Sequence, residues 1–484
     1  MKRSLHLKRS LSAAALLSFF LLSMLNVQAQ IPDTINTSPV TELQTVETPA
    51  NTFLTALMIN NPAYHSRTVI YRSTDNGVTW DSVFSYGADA DFYATPDPVL
   101  TVDSAGNVYL TVMRHLPVTY TFTAHLWVYR SVDDGLTWTL ESTPYNGTGF
   151  ADFPSITSLG DGLTYLSYTH YEWDTSYITF IRSFDGSTTW TDTSTFGTLP
   201  FSGWTAVGSD LGFSKDNKLF LSYGDYNLGV VYFSSSNDSG LTWAPVQNVP
   251  IAAVSNFNIT KIVSSKNYSH LGIIAHKPHQ LTTVYYINSL DTGNTWQPYL
   301  TISNSSAYCE GVIDNAGNVN LIYNENDYST PRLCYRYSTD EGQTFGAPIT
   351  LLSWTSVSLT AGEYQSILLG NDGLFHVTYV DWNGGGAAKH LIFAPLATDI
   401  YAVDPSSHAP RIFPNPVHDV LTFQSDDTNA GATFDLINND GKIMMSGKVN
   451  LPYTSVNTSS LTVGVYLLRV TDKNLMYVQK VVRN

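Results

Sequence analysis

The chain has 484 residues, a formal charge of −16 and 13% charged side chains, with 30 tyrosines and 10 tryptophans. So acidic a chain is a poor partner for nucleic acid, and two cysteines are too few for a disulfide-built scaffold. The length suits one large β domain followed by a small one.

Residues 1–29 read as an export signal. Lys2, Arg3, Lys8 and Arg9 precede an apolar run from Leu11 to Leu25, and Val27-Gln28-Ala29 offers small residues for cleavage. That apolar core is short for a membrane span, and no later segment is long and apolar enough to be one. The mature protein is therefore expected to lack a transmembrane span.

A short turn then comes back six times. It reads Ser73 to Trp80 (STDNGVTW), Ser131 to Trp138, Ser183 to Trp190, Ser236 to Trp243, Ser289 to Trp296 and Ser338 to Phe345, copies lying roughly 50 residues apart. In Ser-x-Asp-x-Gly-x-Thr-Trp the carboxylates of Asp75, Asp133, Asp185, Asp238, Asp291 and Asp340 can accept bonds from the turn ahead of them, so they are read as structural. Glycine supplies a positive φ, and the aromatic opens the next strand. The third copy has Gly186 one place early and Ser187 where glycine is expected, so a turn of different shape is expected there. These residues resemble the Asp-box, or bacterial neuraminidase repeat, of the sialidase superfamily and related β-propellers.

Between the boxes runs a second feature, a strand, a Gly/Asn/Asp turn and a strand, as in VLTVDSAGNVYLTV around Gly106 and VIDNAGNVNLIY around Gly317. Seven such hairpins against six boxes give units of strands A, B and C, a box, and strand D. The expected fold is all-β: a propeller of four-stranded antiparallel sheets over residues 30–396, seven blades favoured and six the alternative. The seventh unit, Glu363 to Pro395, has no box, and Ile31 to Ser38 would supply its outer strand as a clasp. Cys309 and Cys334 fall on the first and third strands of one blade, about 10 Å apart by strand spacing, and are expected to be free, buried thiols.

Residues 397–410 form a linker rich in small residues and proline. Residues 411–484 have the look of a small Ig-like β-sandwich. Phe413-Pro414-Asn415-Pro416, Asp440-Gly441-Lys442 and Gly464-Val465-Tyr466, in this order, are similar to the type A sorting domain of the type IX secretion system of the Bacteroidetes. The resemblance implies passage through the periplasm and outer membrane, handling by the type IX machinery, and release or display at the surface.

In an antiparallel meander the boxes share one face with the A–B turns, so the D–A and B–C loops gather on the other face beside the ring axis. The starts of the A strands place Asp97, Asp152, Glu310 and Glu363 there as candidate catalytic carboxylates. Arg114, His115, His170, Trp173, Trp204, Tyr328 and Trp382 are the candidate ligand-binding residues. Carboxylates among aromatic faces suit sugar rings, and a carboxylate pair could hydrolyse a glycosidic bond. No spacing demands a metal and no cofactor is required, although converging carboxylates could hold Ca²⁺. His276 and His279 are read as a polar loop.

The resemblance also implies three arginines for a sialic carboxylate, a Tyr–Glu nucleophile pair and an Asp acid. The early Phe/Tyr-Arg-Ile-Pro motif is missing, since Arg411-Ile412-Phe413-Pro414 belongs to the carboxy-terminal domain. Arg72, Arg130, Arg182 and Arg336 fall on third strands against the boxes and are read as structural, which leaves Arg67, Arg114 and Arg332 for the ligand face. The leading expectation is recognition of an extracellular glycan or glycoprotein. A sialidase-like glycoside hydrolase or lyase and a protein-binding adhesin are the alternatives.

Overall fold

The computed structural model describes residues 33–59, 66–87, 97–115, 123–160, 162–172, 175–197, 206–225, 228–251, 259–276, 282–306, 308–325, 331–354, 365–381, 385–394, 411–424, 432–438, 442–472 and 475–484. Every regular element among them is a β-strand.

The first blade is the meander Val40–Glu47, Phe53–Ile59, Arg67–Ser73 and Asp81–Tyr86, strands A to D from the axis outward. The same order repeats from A strands at Val99–Val102, Phe150–Gly160, Ala206–Phe213, Ile259–Val263, Cys309–Ile313 and Ser366–Leu369. The last blade completes itself with Asp33–Asn36, which pairs antiparallel with Ala387–Phe393, Asp33 facing His390 and Thr34 facing Lys389. The clasp expected near the amino terminus is this strand, and the propeller has seven blades.

Ring closure is what buries the sheets. A blade alone would expose both faces, but apolar clusters fill all seven junctions, from Leu54, Ala56, Leu110 and Val112 between blades 1 and 2 to Ile35, Leu43, Leu57 and Val380 between blades 7 and 1. Both faces of a strand are therefore apolar. Val108, Leu110 and Val112 pack toward blade 1, while Tyr109 and Met113 of the same strand pack toward blade 3. The two thiols are buried and unbonded, in one row on either side of Tyr323.

The six turns are built alike. In each, the Ser hydroxyl donates to the Asp carboxylate, which also accepts the Thr backbone N–H and the Thr hydroxyl, at 2.5–2.8 Å in the fourth copy. The third copy does not differ in shape, contrary to the expectation from Gly186. Ser187 takes the glycine place at φ 71°, its N–H bonds Ser183 Oγ at 2.9 Å, and Asp185 keeps its Thr189 bonds. Glycine elsewhere answers to the neighbouring blade as well as to φ. A Cβ on Gly240 would lie 2.5 Å from Phe180, and one on Gly135 would lie 2.5 Å from Leu54. Phe180 stands three residues before its box serine; in blade 2 that place is Val128, and Ser187 instead bonds Thr164 Oγ1 at 2.9 Å.

Each turn is also held by the preceding blade. Arg72 bonds the carboxylate and carbonyl of Asp134, Arg182 the carbonyl of Ser239, Lys218 the carbonyl of Thr292, and Asn288 the carbonyl of Glu341. At the closing seam the link is a buried chain. His390 Nδ1 lies 3.3 Å from the Gly77 carbonyl, His390 Nε2 lies 3.1 Å from His376 Nδ1, and His376 Nε2 lies 3.2 Å from Asp372, which accepts from Asn76 at 2.8 Å. Phe53 and Trp80 cover the two rings. Burial first, then His376, pushes His390 down to about 3.

Residues 411–484 form a three-stranded and a four-stranded sheet closed on one core of Val417, Leu421, Phe423, Leu436, Leu468 and Val481. This is the two-sheet sandwich.

Two predictions follow from the seams. Gly240→Ala will lose about 2–4 kcal/mol by denaturant unfolding, from φ strain plus overpacking, whereas Gly373→Ala, at φ 78° with nothing within 4 Å, will lose only about 1 kcal/mol. Because His390 is neutral when folded at a pH where the unfolded chain protonates it, stability will fall as pH drops from the unfolded value of about 6.5 toward 3. His390→Phe will flatten that fall in pH-dependent melts relative to the parent.

Candidate functional site

The seven A strands leave a cavity of about 320 Å³ on the axis, at the end where those strands begin. Behind it lies a second chamber of about 490 Å³, lined from the A–B turn side by Glu47, Asp103, Ser158, Ser265, Lys266 and Asn371; Thr157, Leu211 and Ile262 border both. Burial pushes the Glu47 carboxyl up to about 7.

Side chains around the front cavity bridge neighbouring A strands, whose inner edges have no backbone partner. Gln44 accepts the Leu100 N–H at 2.6 Å, Ser155 the Leu211 N–H at 3.3 Å, Asp210 the Ile262 N–H at 2.7 Å, and Ser366 the Thr45 N–H at 3.2 Å. Glu42 likewise accepts the Asp97 N–H. Polarity at the axis is thus first a requirement of the ring.

Carboxyl groups nonetheless crowd beyond that requirement. Asp97 of blade 2 hydrogen-bonds through its side chain to both Glu42 of blade 1 and Asp152 of blade 3. Desolvation, then the Asp97 charge, holds Glu42 and Asp152 well above the ordinary carboxylate range. Tyr171 beside them is pushed up by burial and by the Asp152 and Asp97 charges. Facing this cluster across a ring of seven is blade 6, where Glu310 meets Lys261 of blade 5 at 3.5 Å. Burial raises Glu310 and the Lys261 ammonium opposes the rise; burial would lower Lys261, but Glu310 and Asp210 more than reverse it.

The backbone is irregular at these acids. Ladder register shifts at Val40/Glu42, Asp152/Ser155 and Val207/Asp210, and such bulges re-aim side chains. Asp97 sits at φ 57° and Phe153 at φ 47°, the latter with its N–H on the Asp152 carboxylate at 2.9 Å. A bulky residue at positive φ costs of order 1–3 kcal/mol, and such outliers cluster at functional sites.

Of the carboxylates singled out from sequence, Asp97, Asp152 and Glu310 are brought together here, while Glu363 lies outside the described residues. Trp173, Trp204, Tyr328, Trp382 and His279 lie outside them too, as does the side chain of His115. Arg114 does not line the cavity: its guanidinium stacks 4.3 Å over Trp127. His170 is also off the axis, ringed by Tyr145 and Tyr177 at 4.9 and 4.7 Å, with Glu172 3.9 Å away. His276 is buried against Tyr308. Sequence reasoning missed Glu42, Asp210 and Lys261; the usable signal was a charge inside an otherwise apolar innermost strand. Among the described residues, no group of three or more His, Cys, Asp or Glu side chains is placed to hold a metal ion. No helix there is long and apolar enough to cross a membrane.

A carboxyl group kept protonated by its neighbours resists ionisation at the expense of the fold. Asp152→Asn will therefore gain in melting temperature relative to the parent as pH rises, and that gain will shrink toward acid pH, in melts run across the pH range.

Among solved structures the chain is similar to a Hadza microbial sialidase (16% identity, TM-score 0.43, 61% of this chain and 66% of that one). It is also similar to a Dyadobacter fermentans protein of unknown function (15%, 0.46, 63% and 96%) and to a Penicillium chrysogenum α-L-arabinanase solved with arabinobiose (13%, 0.47, 76% and 98%). The chain spans just under two thirds of the sialidase's length. No curated protein matches the sequence. The family model described as the secretion system C-terminal sorting domain matches residues 411–484. The protein is therefore a seven-bladed β-propeller followed by a secretion system C-terminal sorting domain, which marks it for export by type IX secretion to the cell surface or outside.

Proposed function

We propose that the protein acts on an extracellular glycan, with one sugar ring seated in the axial cavity and the Glu42–Asp97–Asp152 cluster protonating the glycosidic oxygen. The observation that carries this reading is a cluster of three carboxyl groups from adjoining blades beside an axial cavity of about 320 Å³, two of them pushed well above the ordinary carboxylate range by burial. A general acid must be both protonated and exposed to substrate at working pH. Glu310, opposite the cluster and steadied by Lys261, is placed to take the proton of the water that attacks the anomeric carbon as the C–O bond breaks. Phe153 in the lining offers apolar surface to a sugar's C–H face.

Recognition without turnover is the second reading. It is favoured by the bonds from Glu42 and Asp210 to neighbouring backbones, which give those two carboxylates structural work. Reducing-end release from a panel of extracellular polysaccharides separates the two. Under the hydrolase reading, Asp152→Asn and Glu310→Gln each lower turnover by about 100-fold or more while the melts stay cooperative, and parent activity falls as pH rises and the cluster loses its proton. Glycan binding by the parent with no release from any polymer would leave recognition alone; no binding and no release would remove both readings.

A further inference from the structure

We infer that the axial cavity selects a sugar ring bearing no carboxylate, and rejects sialic and uronic acids. The inference rests on the glycan reading above and names its substrate class.

The cation census of the propeller carries it. Residues 30–396 contain seven arginines, Arg67, Arg72, Arg114, Arg130, Arg182, Arg332 and Arg336, all on described strands. None lines the axial cavity. Arg72 and Arg182 bond turns of the next blade, and Arg336 bonds the carbonyls of Ile302 and Gly346. Arg130 lies over the Tyr109 ring, Arg114 over Trp127, and Arg332 pairs with Glu325. Arg67 is exposed at the start of its strand. The bidentate fork that suits a buried carboxylate is thus absent from this wall.

Among the described residues Lys261 is the cation in the lining, and it is already committed. It lies 3.5 Å from Glu310, and the Asp210 and Asp97 charges also act on it. Around it stand Glu42, Asp97, Asp210 and Glu310 in the lining, with Asp152 bonded to Asp97. Even with Glu42 and Asp152 protonated, the remaining carboxylates outnumber the ammonium. A carboxylate sugar entering this space loses its hydration to meet like charge, an arrangement that disfavours the wrong partner strongly. A neutral ring offers hydroxyl donors to the carboxylates and loses nothing of the kind.

The same geometry specifies how to reverse the preference. Glu310→Gln keeps the shape of the wall and leaves Lys261 without its nearest counter-charge, so a sugar carboxylate can take the place that Glu310 occupied. The experiment is calorimetric binding, not turnover. The full-length parent, Glu310→Gln and Lys261→Met are titrated with oligosaccharides matched in linkage but differing at one carbon, a neutral hydroxymethyl against a carboxylate, and with a sialoside.

The parent is expected to bind a neutral member at least about tenfold more tightly than its carboxylate partner and not to bind the sialoside. Glu310→Gln is expected to narrow or invert that ratio, and added salt to narrow it in the parent. Carboxylate or sialic sugars binding the parent as tightly as neutral ones would overturn the inference while leaving the glycan reading standing. If Glu310→Gln shifts neutral and carboxylate affinities equally, the assigned role of the Lys261–Glu310 pair is wrong. Failure of every sugar to bind would instead count against the glycan reading itself. Lys261→Met removes the cation itself, and with its melt still cooperative the carboxylate should stay rejected; carboxylate binding in it as tight as neutral binding would overturn the inference.

Discussion

Seven innermost strands converge on one axis, and each presents an edge with no backbone partner. Buried N–H groups cannot be left unbonded without a cost of about 1–3 kcal/mol each, so side chains of adjacent blades supply the acceptors: Gln44 for Leu100, Ser155 for Leu211, Asp210 for Ile262, Ser366 for Thr45. This stitching holds the wheel at its centre as the apolar clusters hold it between blades. It also makes the core of the molecule hydrophilic where most folds are driest.

The candidate site is an elaboration of that stitching. Once carboxyl groups line the axis for structural reasons, three of them come within reach of one another, and low hydration pushes two of them well above the ordinary carboxylate range. Irregular ladders at Glu42, Asp152 and Asp210 and the positive φ of Phe153 mark where regular strand geometry gives way to side-chain placement. The rim turns carry as many carboxylates, yet there the acids are saturated by their own Ser and Thr. The Thr189 and Ser183 bonds hold Asp185 down at about 2, leaving no proton to give.

Legibility followed range of interaction. The six turns could be read from sequence because their bonds close within eight residues, and the ring because apolar strands recur at a fixed period. The third turn could not: whether a residue other than glycine fits depends on what the previous blade presents, and Val128 in place of a ring is visible only once the blades are stacked. The starts of A strands pointed to Asp97, Asp152 and Glu310 by parity alone. Lys261 and Asp210 escaped because alternation carries no label on a strand buried on both faces, and because a bulge shifts the parity that would have placed Asp210. Arg114 falls outside the cavity for a related reason: its strand leads toward the open face, but its guanidinium lies over Trp127.

The clasp has a mechanical side. The chain leaves the propeller from Ala387–Phe393, and this strand is gripped along both edges, by Phe375–Asp381 on one side and Asp33–Asn36 on the other. Tension arriving through the carboxy-terminal domain meets two ladders in parallel. The first and last blades would have to part together before the wheel could be unrolled from that end.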